Sequence, residues 1–116
     1  MARGERADAL TPRRRSIVAA NRGSLLGDEG RWLEAAEAFV AAIESRGFGE
    51  ESGVPLYLRA RTAHARAAAA GPLSGASLAE FERLREELRG KLGDGNDYVE
   101  SLDRLAASLE AERLRR

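Results

Sequence analysis

Large apolar residues recur along this chain three and four positions apart, in stretches separated by glycine, proline and short polar turns. That period predicts an all-α chain of about five helices. No period is sustained over residues 1–10, which read as a mobile arm in front of a single helical domain over 11–116. The first helix is predicted to open at Thr11, whose hydroxyl can cap it, with Pro12 at the first helical position, where a missing N–H costs nothing. It runs to about Leu26, with Ile17, Val18 and Leu25 as its apolar anchors. After a turn at 27–30, the second helix, 31–45, aligns Trp32, Ala35, Ala36, Phe39 and Ile43 in one stripe and leaves Glu34, Glu37 and Glu44 opposite.

A glycine-rich connection over 47–55 leads to a third helix at 56–70, rich in alanine and carrying Arg59, Arg61 and Arg66 but no acid. Alanine favours helix, and Ala60, Ala63 and Ala67 allow close approach of another backbone. Gly71 and Pro72 end it. Ser77 with Glu80 is read as a capping box for a fourth helix reaching about Leu92, with Leu78, Phe81, Leu84 and Leu88 on one side. The turn at 93–96 reverses the chain. A second capping box, Asp97 with Glu100, opens the fifth helix, whose stripe is Tyr98, Leu102, Leu105 and Leu109. Its arginine-rich end, with Arg113, Arg115 and Arg116, suits the negative pole of the helix dipole.

Within 23–43, small residues alternate with large ones where two helices must touch. Gly23 and Leu26 mark the first helix, and Ala35, Phe39 and Ala42 give A-x3-F plus a further alanine in the second, whose stripe Trp32 opens as part of the same core. In this register the segment resembles one tetratricopeptide repeat. The resemblance implies antiparallel hairpins stacked as a short right-handed array with a C-terminal capping helix, a scaffold for binding and not for reaction. It also implies that the first helix of each hairpin lines the binding surface, which would present Asn21, Ser24, Tyr57, Arg59 and Arg66 to an acidic peptide or a partner protein. Ala20 and Ser24 stand where carboxylate-clamp members of the family carry lysine and asparagine, so selectivity for a free C-terminal carboxylate is not expected. A three-helix module resembling microtubule-interacting and transport domains is the structural alternative.

Composition narrows the chemistry. Acidic and basic residues balance at 19 each, so no global field draws the chain to nucleic acid or an anionic membrane. The absence of cysteine removes disulfides, thiolate metal sites and thiol catalysis. Arg13, Arg14 and Arg15 precede an apolar run that Asn21 and Arg22 cut short, too brief for an export signal, and no stretch approaches the length needed to span a bilayer. A cytoplasmic protein is expected, and the excess of arginine over lysine together with abundant alanine suggests a bacterial genome rich in GC.

No phosphate loop, dinucleotide fingerprint or nucleophile elbow is present, and 93–96 lacks the spaced acids of a calcium loop. No cofactor and no metal are expected. His64, the sole histidine, has Ala60, Arg61, Ala67 and Ala68 at ligand spacing, so it reads as a surface or interface side chain. The alternating charges from Glu82 to Arg89 read as a solvated helix face. Arg13 to Arg15 with Arg3, Arg6 and Arg22 could neutralise phosphates, but Glu5 and Asp8 dilute the cluster and no aromatic residues interleave it for base stacking. Ser16 after the arginines matches a short kinase motif of very common type. The expectation is a non-catalytic adaptor or accessory subunit, with a nucleic-acid-binding regulator as the alternative. With 5% aromatic residues the chain has few large anchors, which favours a homodimer or a stable hetero-complex.

Overall fold

The computed structural model describes residues 11–71 and 75–115. The expected arm at 1–10, Pro72 and Arg116 lie outside them. Five α-helices follow in order: α1 (Pro12–Asp28), α2 (Trp32–Glu44), α3 (Val54–Ala70), α4 (Gly75–Leu92) and α5 (Asp97–Leu114), with one 3-10 turn at Glu50–Ser52. The chain is all-α, and the described residues contain no strand. Five packed helices exceed the three of the alternative module.

Successive helices run antiparallel. Ser16 meets Ala42, Gly23 meets the Phe39 ring, and Gly27 meets Trp32, so α1 and α2 pass in opposite directions. Trp32 beside His64 and His64 beside Phe81 continue the alternation through α3 and α4. α5 packs against both α3 and α4. Consequently α1, α3 and α5 share one side of the molecule, with α2 and α4 behind them.

Small residues set the first hairpin. A Cβ at Gly23 would stand 2.8 Å from the Phe39 ring, and one at Gly47 would stand 2.6 Å from the Arg13 Cα and the Pro12 carbonyl, so only glycine admits these approaches. Ala35 and Ala42 are buried in the same seam. The buried Ser16 hydroxyl donates to the Ala42 carbonyl (2.8 Å) and accepts from the Gly47 N–H (3.0 Å), pinning the start of α1 to the exit of α2. Ser16 is therefore a structural tie, closed to a kinase.

The expected anchors of α1 are the opposite of what α1 buries. Ile17, Val18 and Leu25 are 43%, 55% and 64% exposed, while Ser16, Gly23, Leu26 and Gly27 are buried. Close packing against Phe39 and Trp32 demands small side chains at the seam, and that requirement overrides size as a guide to burial.

Two apolar clusters flank α3. Leu26, Phe39, Val54 and Leu58 belong to the first, with the alanines of α2; Leu56, Phe81, Leu84, Leu88, Val99, Leu102 and Leu109 belong to the second. α3 is buried around most of its circumference, which explains its alanine content: neighbours approach from both sides.

Several boundaries differ from the sequence expectation. α1 extends through Gly27 to Asp28, α3 begins at Val54 after the left-handed Gly53 (φ +79°), and α4 begins at Gly75, which leaves Ser77 inside the helix and not at its cap. The cap of α5 is Asn96, whose side chain accepts from the Tyr98 N–H at 2.8 Å, in place of Asp97 with Glu100. α5 buries Leu102 and Leu109 as expected and adds Val99 to them, while Tyr98 is partly exposed. The Thr11 cap forms as expected, accepting from the Arg14 N–H at 3.1 Å. Along α4 the charges pair at helical spacing, Arg83 with Glu80 and Glu87 and Arg85 with Glu82, but Arg85 and Arg89 also reach Asp103 of α5 at 2.8 and 2.7 Å. The Asp103 carboxyl is held below its usual range, chiefly by the hydrogen bond from Arg89.

Candidate functional site

A groove of about 240 Å3 opens where α1, α3 and α5 face one another. α1 supplies Ile17, Ala20, Asn21 and Ser24; α3 supplies Tyr57 and Arg61; Tyr98 closes it from α5, and Phe39 of α2 forms part of its floor. The helical repeat puts 17, 20, 21 and 24 on one face of α1, and 57 and 61 on one face of α3. Tyr57 and Tyr98 stack tilted at a centroid distance of 4.7 Å, and the Tyr57 hydroxyl lies 3.3 Å from that of Ser101.

Arg61 dominates the electrostatics. Its guanidinium lies 4.7 Å from the centroid of the Phe39 ring and 5.8 Å from that of Tyr57, and it donates to the Tyr57 hydroxyl at 2.8 Å. Its Nε is buried without a hydrogen-bond partner. No carboxylate lines the groove, and among the described residues Arg61 has no ion-pair partner. Stacking on aromatic faces offsets part of the desolvation of a half-buried cation. The remaining donor capacity fits an acceptor brought by a ligand, since a buried or half-buried charge is stable when paired. A second cation, Arg13, lies 4.7 Å above the ring of Phe48, another groove residue.

Of the residues singled out from sequence, Asn21, Ser24 and Tyr57 come together in this groove. Arg59 and Arg66 do not line it. From Tyr57, Arg59 is about 200° around the helix and Arg66 about 180°, on the far side of α3. Arg59 pairs there with Glu50 at 3.0 Å, and Arg66 is exposed. Among the groove residues that sequence reading did not select are Arg61, Ile17 and Tyr98. The four-residue spacing from Tyr57 was the available signal for Arg61. Gly23, Leu26, Trp32, Ala35, Phe39 and Ala42 form the support behind the groove: all but Trp32 are buried, and Trp32 is packed against the same cluster.

His64 corrects the expectation of a surface or interface side chain. It is buried edge-on between Trp32 (5.4 Å) and Phe81 (5.5 Å), at the junction of the two apolar clusters. Burial, reinforced by the nearby Arg61 charge, pushes its pKa down to about 4, so it is neutral at physiological pH. Among the described residues no group of three potential ligands could hold a metal ion, and no helix is long and apolar enough to cross a membrane. Compared with family models, curated proteins and solved structures, the chain matches none.

Proposed function

We propose that this chain is a cytoplasmic, non-catalytic protein-interaction module of tetratricopeptide type, which takes an acid-bearing segment of a partner protein into the groove formed by α1, α3 and α5. The observation that carries the reading is Arg61, a half-buried cation stacked on Phe39 in a groove whose lining contains no carboxylate. Two antiparallel hairpins whose first helices share a face, with a fifth helix continuing that face, support the family resemblance seen in 23–43. Apolar walls from Ile17, Tyr57 and Tyr98 would take an apolar side chain next to the acid, while Asn21 and Ser24 offer hydrogen bonds to an extended backbone.

The test is selection from a random peptide library followed by titration of the selected peptides. A charge-assisted hydrogen bond contributes about 1.5 to 3 kcal/mol, so Arg61→Leu is expected to weaken the selected peptides at least about tenfold, whereas Arg66→Leu leaves them unchanged. A single ion pair also predicts a shallow dependence on salt. Peptides indifferent to Arg61, or binding of nucleic acid with the steep salt dependence of phosphate neutralisation, would overturn the reading in favour of the arginine-rich start of the chain.

A further inference from the structure

On the edge of the molecule away from α3, α1 and α2 leave a second, open groove of about 470 Å3. Its α1 wall carries Arg15, Val18, Ala19 and Arg22; its α2 wall carries Glu34, Glu37, Ala38 and Ala41. The centre is apolar, one rim is basic and the other acidic. Val18 is more than half exposed, and Leu25 extends the same stripe at i+7 with 64% exposure. Among the described residues only α1 and α2 line this edge, and no other helix covers it.

We propose that a second copy of this chain covers it, and that the protein is a twofold-symmetric dimer through the α1–α2 edge. An occupant must offer an acidic rim opposite Arg22, a basic rim opposite Glu37, and apolar side chains between. The edge itself has all three. Gly27 beside Trp32 and Gly23 beside Phe39 set the level of the two helices, which places Arg22 across the groove from Glu34, whose carboxyl its charge reaches, and from Glu37 one turn on. A twofold axis parallel to α1 and α2 and lying between them sets α1 of each copy against α2 of the other at the same level. Arg22 of one copy then faces Glu37 of the other, twice, around the buried Val18 pair. Glu34 is already bound by Arg31 at 2.7 Å, whereas Glu37 has no ion-pair partner among the described residues. Equal numbers of acidic and basic residues leave the two copies without net repulsion. The interface is separate from the α1–α3–α5 groove, so either can fail without the other.

Charge exchange tests the symmetry itself. The full chain should sediment as a dimer at micromolar concentration. Arg22→Glu makes both rims acidic and Glu37→Arg makes both basic, so each variant alone should dissociate, with Kd raised at least about tenfold. Mixed in equal amounts, the two should regain dimer mass, since each now supplies the rim that the other lacks. Glu87→Arg, on the exposed face of α4, should remain dimeric, and circular dichroism should show every variant fully helical. A wild-type chain that sediments as a monomer, single variants that dimerise like wild type, or a mixture that stays monomeric would each overturn the proposal.

Discussion

Glycine and serine of α1, set against the Phe39 and Trp32 rings and the alanines of α2, make the first contact, whereas leucine, phenylalanine and arginine–aspartate pairs join α4 to α5. In the first hairpin the helices come close because side chains are missing from the seam, and a single hydroxyl, that of Ser16, fixes the register. In the second, branched side chains fill the space and Asp103 joins two arginines at the rim. The difference decides which surfaces remain for partners. A seam that excludes large residues moves Ile17, Val18 and Leu25 outward, so α1 presents apolar side chains to both the groove and the outer edge. The α4–α5 pair keeps Phe81, Leu84, Leu88 and Leu102 inside and shows a charged face on α4.

The comparison breaks first at the aromatic anchors. Phe39 supports a cluster made mostly of alanine, while Phe81 has Leu84, Leu88 and Leu102 around it. Phe39→Ala is expected to cost about 3 to 5 kcal/mol, and more than Phe81→Ala, because α1 and α2 have fewer large side chains able to relax into the space. Urea unfolding of both variants checks this, and equal losses would remove the distinction between the halves.

His64 joins the halves, touching Trp32 on one side and Phe81 on the other. Its folded pKa of about 4 lies below the ordinary value of 6.5, so the unfolded chain binds the proton more readily and stability must fall as pH falls from about 6.5 towards 4. The full loss across that window is about 3 kcal/mol. The carboxylates with depressed pKa values, Glu34 and Asp103, start from 4.5 and 3.8 and lose their contribution mainly at lower pH. Unfolding free energy measured between pH 7 and 4.5 should slope accordingly, and His64→Leu should flatten the slope.

Glycine substitutions sharpen the contrast further. Gly23→Ala forces a methyl group to 2.8 Å from the Phe39 ring and is expected to destabilise by about 1 to 3 kcal/mol. Gly90, in the last turn of α4, has nothing within 4 Å of its added Cβ, and Gly90→Ala should stabilise by about 0.5 to 1 kcal/mol. Thermal melts of the two should therefore shift in opposite directions.

Helix order and the apolar stripes of α2 and α4 were legible in the sequence because Trp32, Phe39, Phe81, Leu84 and Leu88 are large, regularly spaced and buried or packed against the core. α1 was legible in part: the repeat register put Gly23 and Leu26 at the contact, where both are buried, but the apolar period selected Ile17, Val18 and Leu25, because it cannot register a missing side chain. In α5 the stripe of Leu102, Leu105 and Leu109 was legible, but Val99, three residues before Leu102, takes the buried place given to Tyr98. Part of the groove was legible too. Asn21, Ser24 and Tyr57 follow from the face that α1 and α3 share, whereas counting arginines without their angle selected Arg59 and Arg66 over Arg61. His64 was misplaced because its neighbours in space, Trp32 and Phe81, are distant in sequence.

Amide chemical-shift mapping tests the groove most directly. An acid-bearing peptide from the library selection, titrated into isotopically labelled protein, should move the resonances of Asn21, Ser24, Tyr57, Arg61 and Tyr98 together and leave the exposed face of α4 still. Shifts confined to α4, or to the arginines at the start of α1, with those five unmoved, would contradict the account.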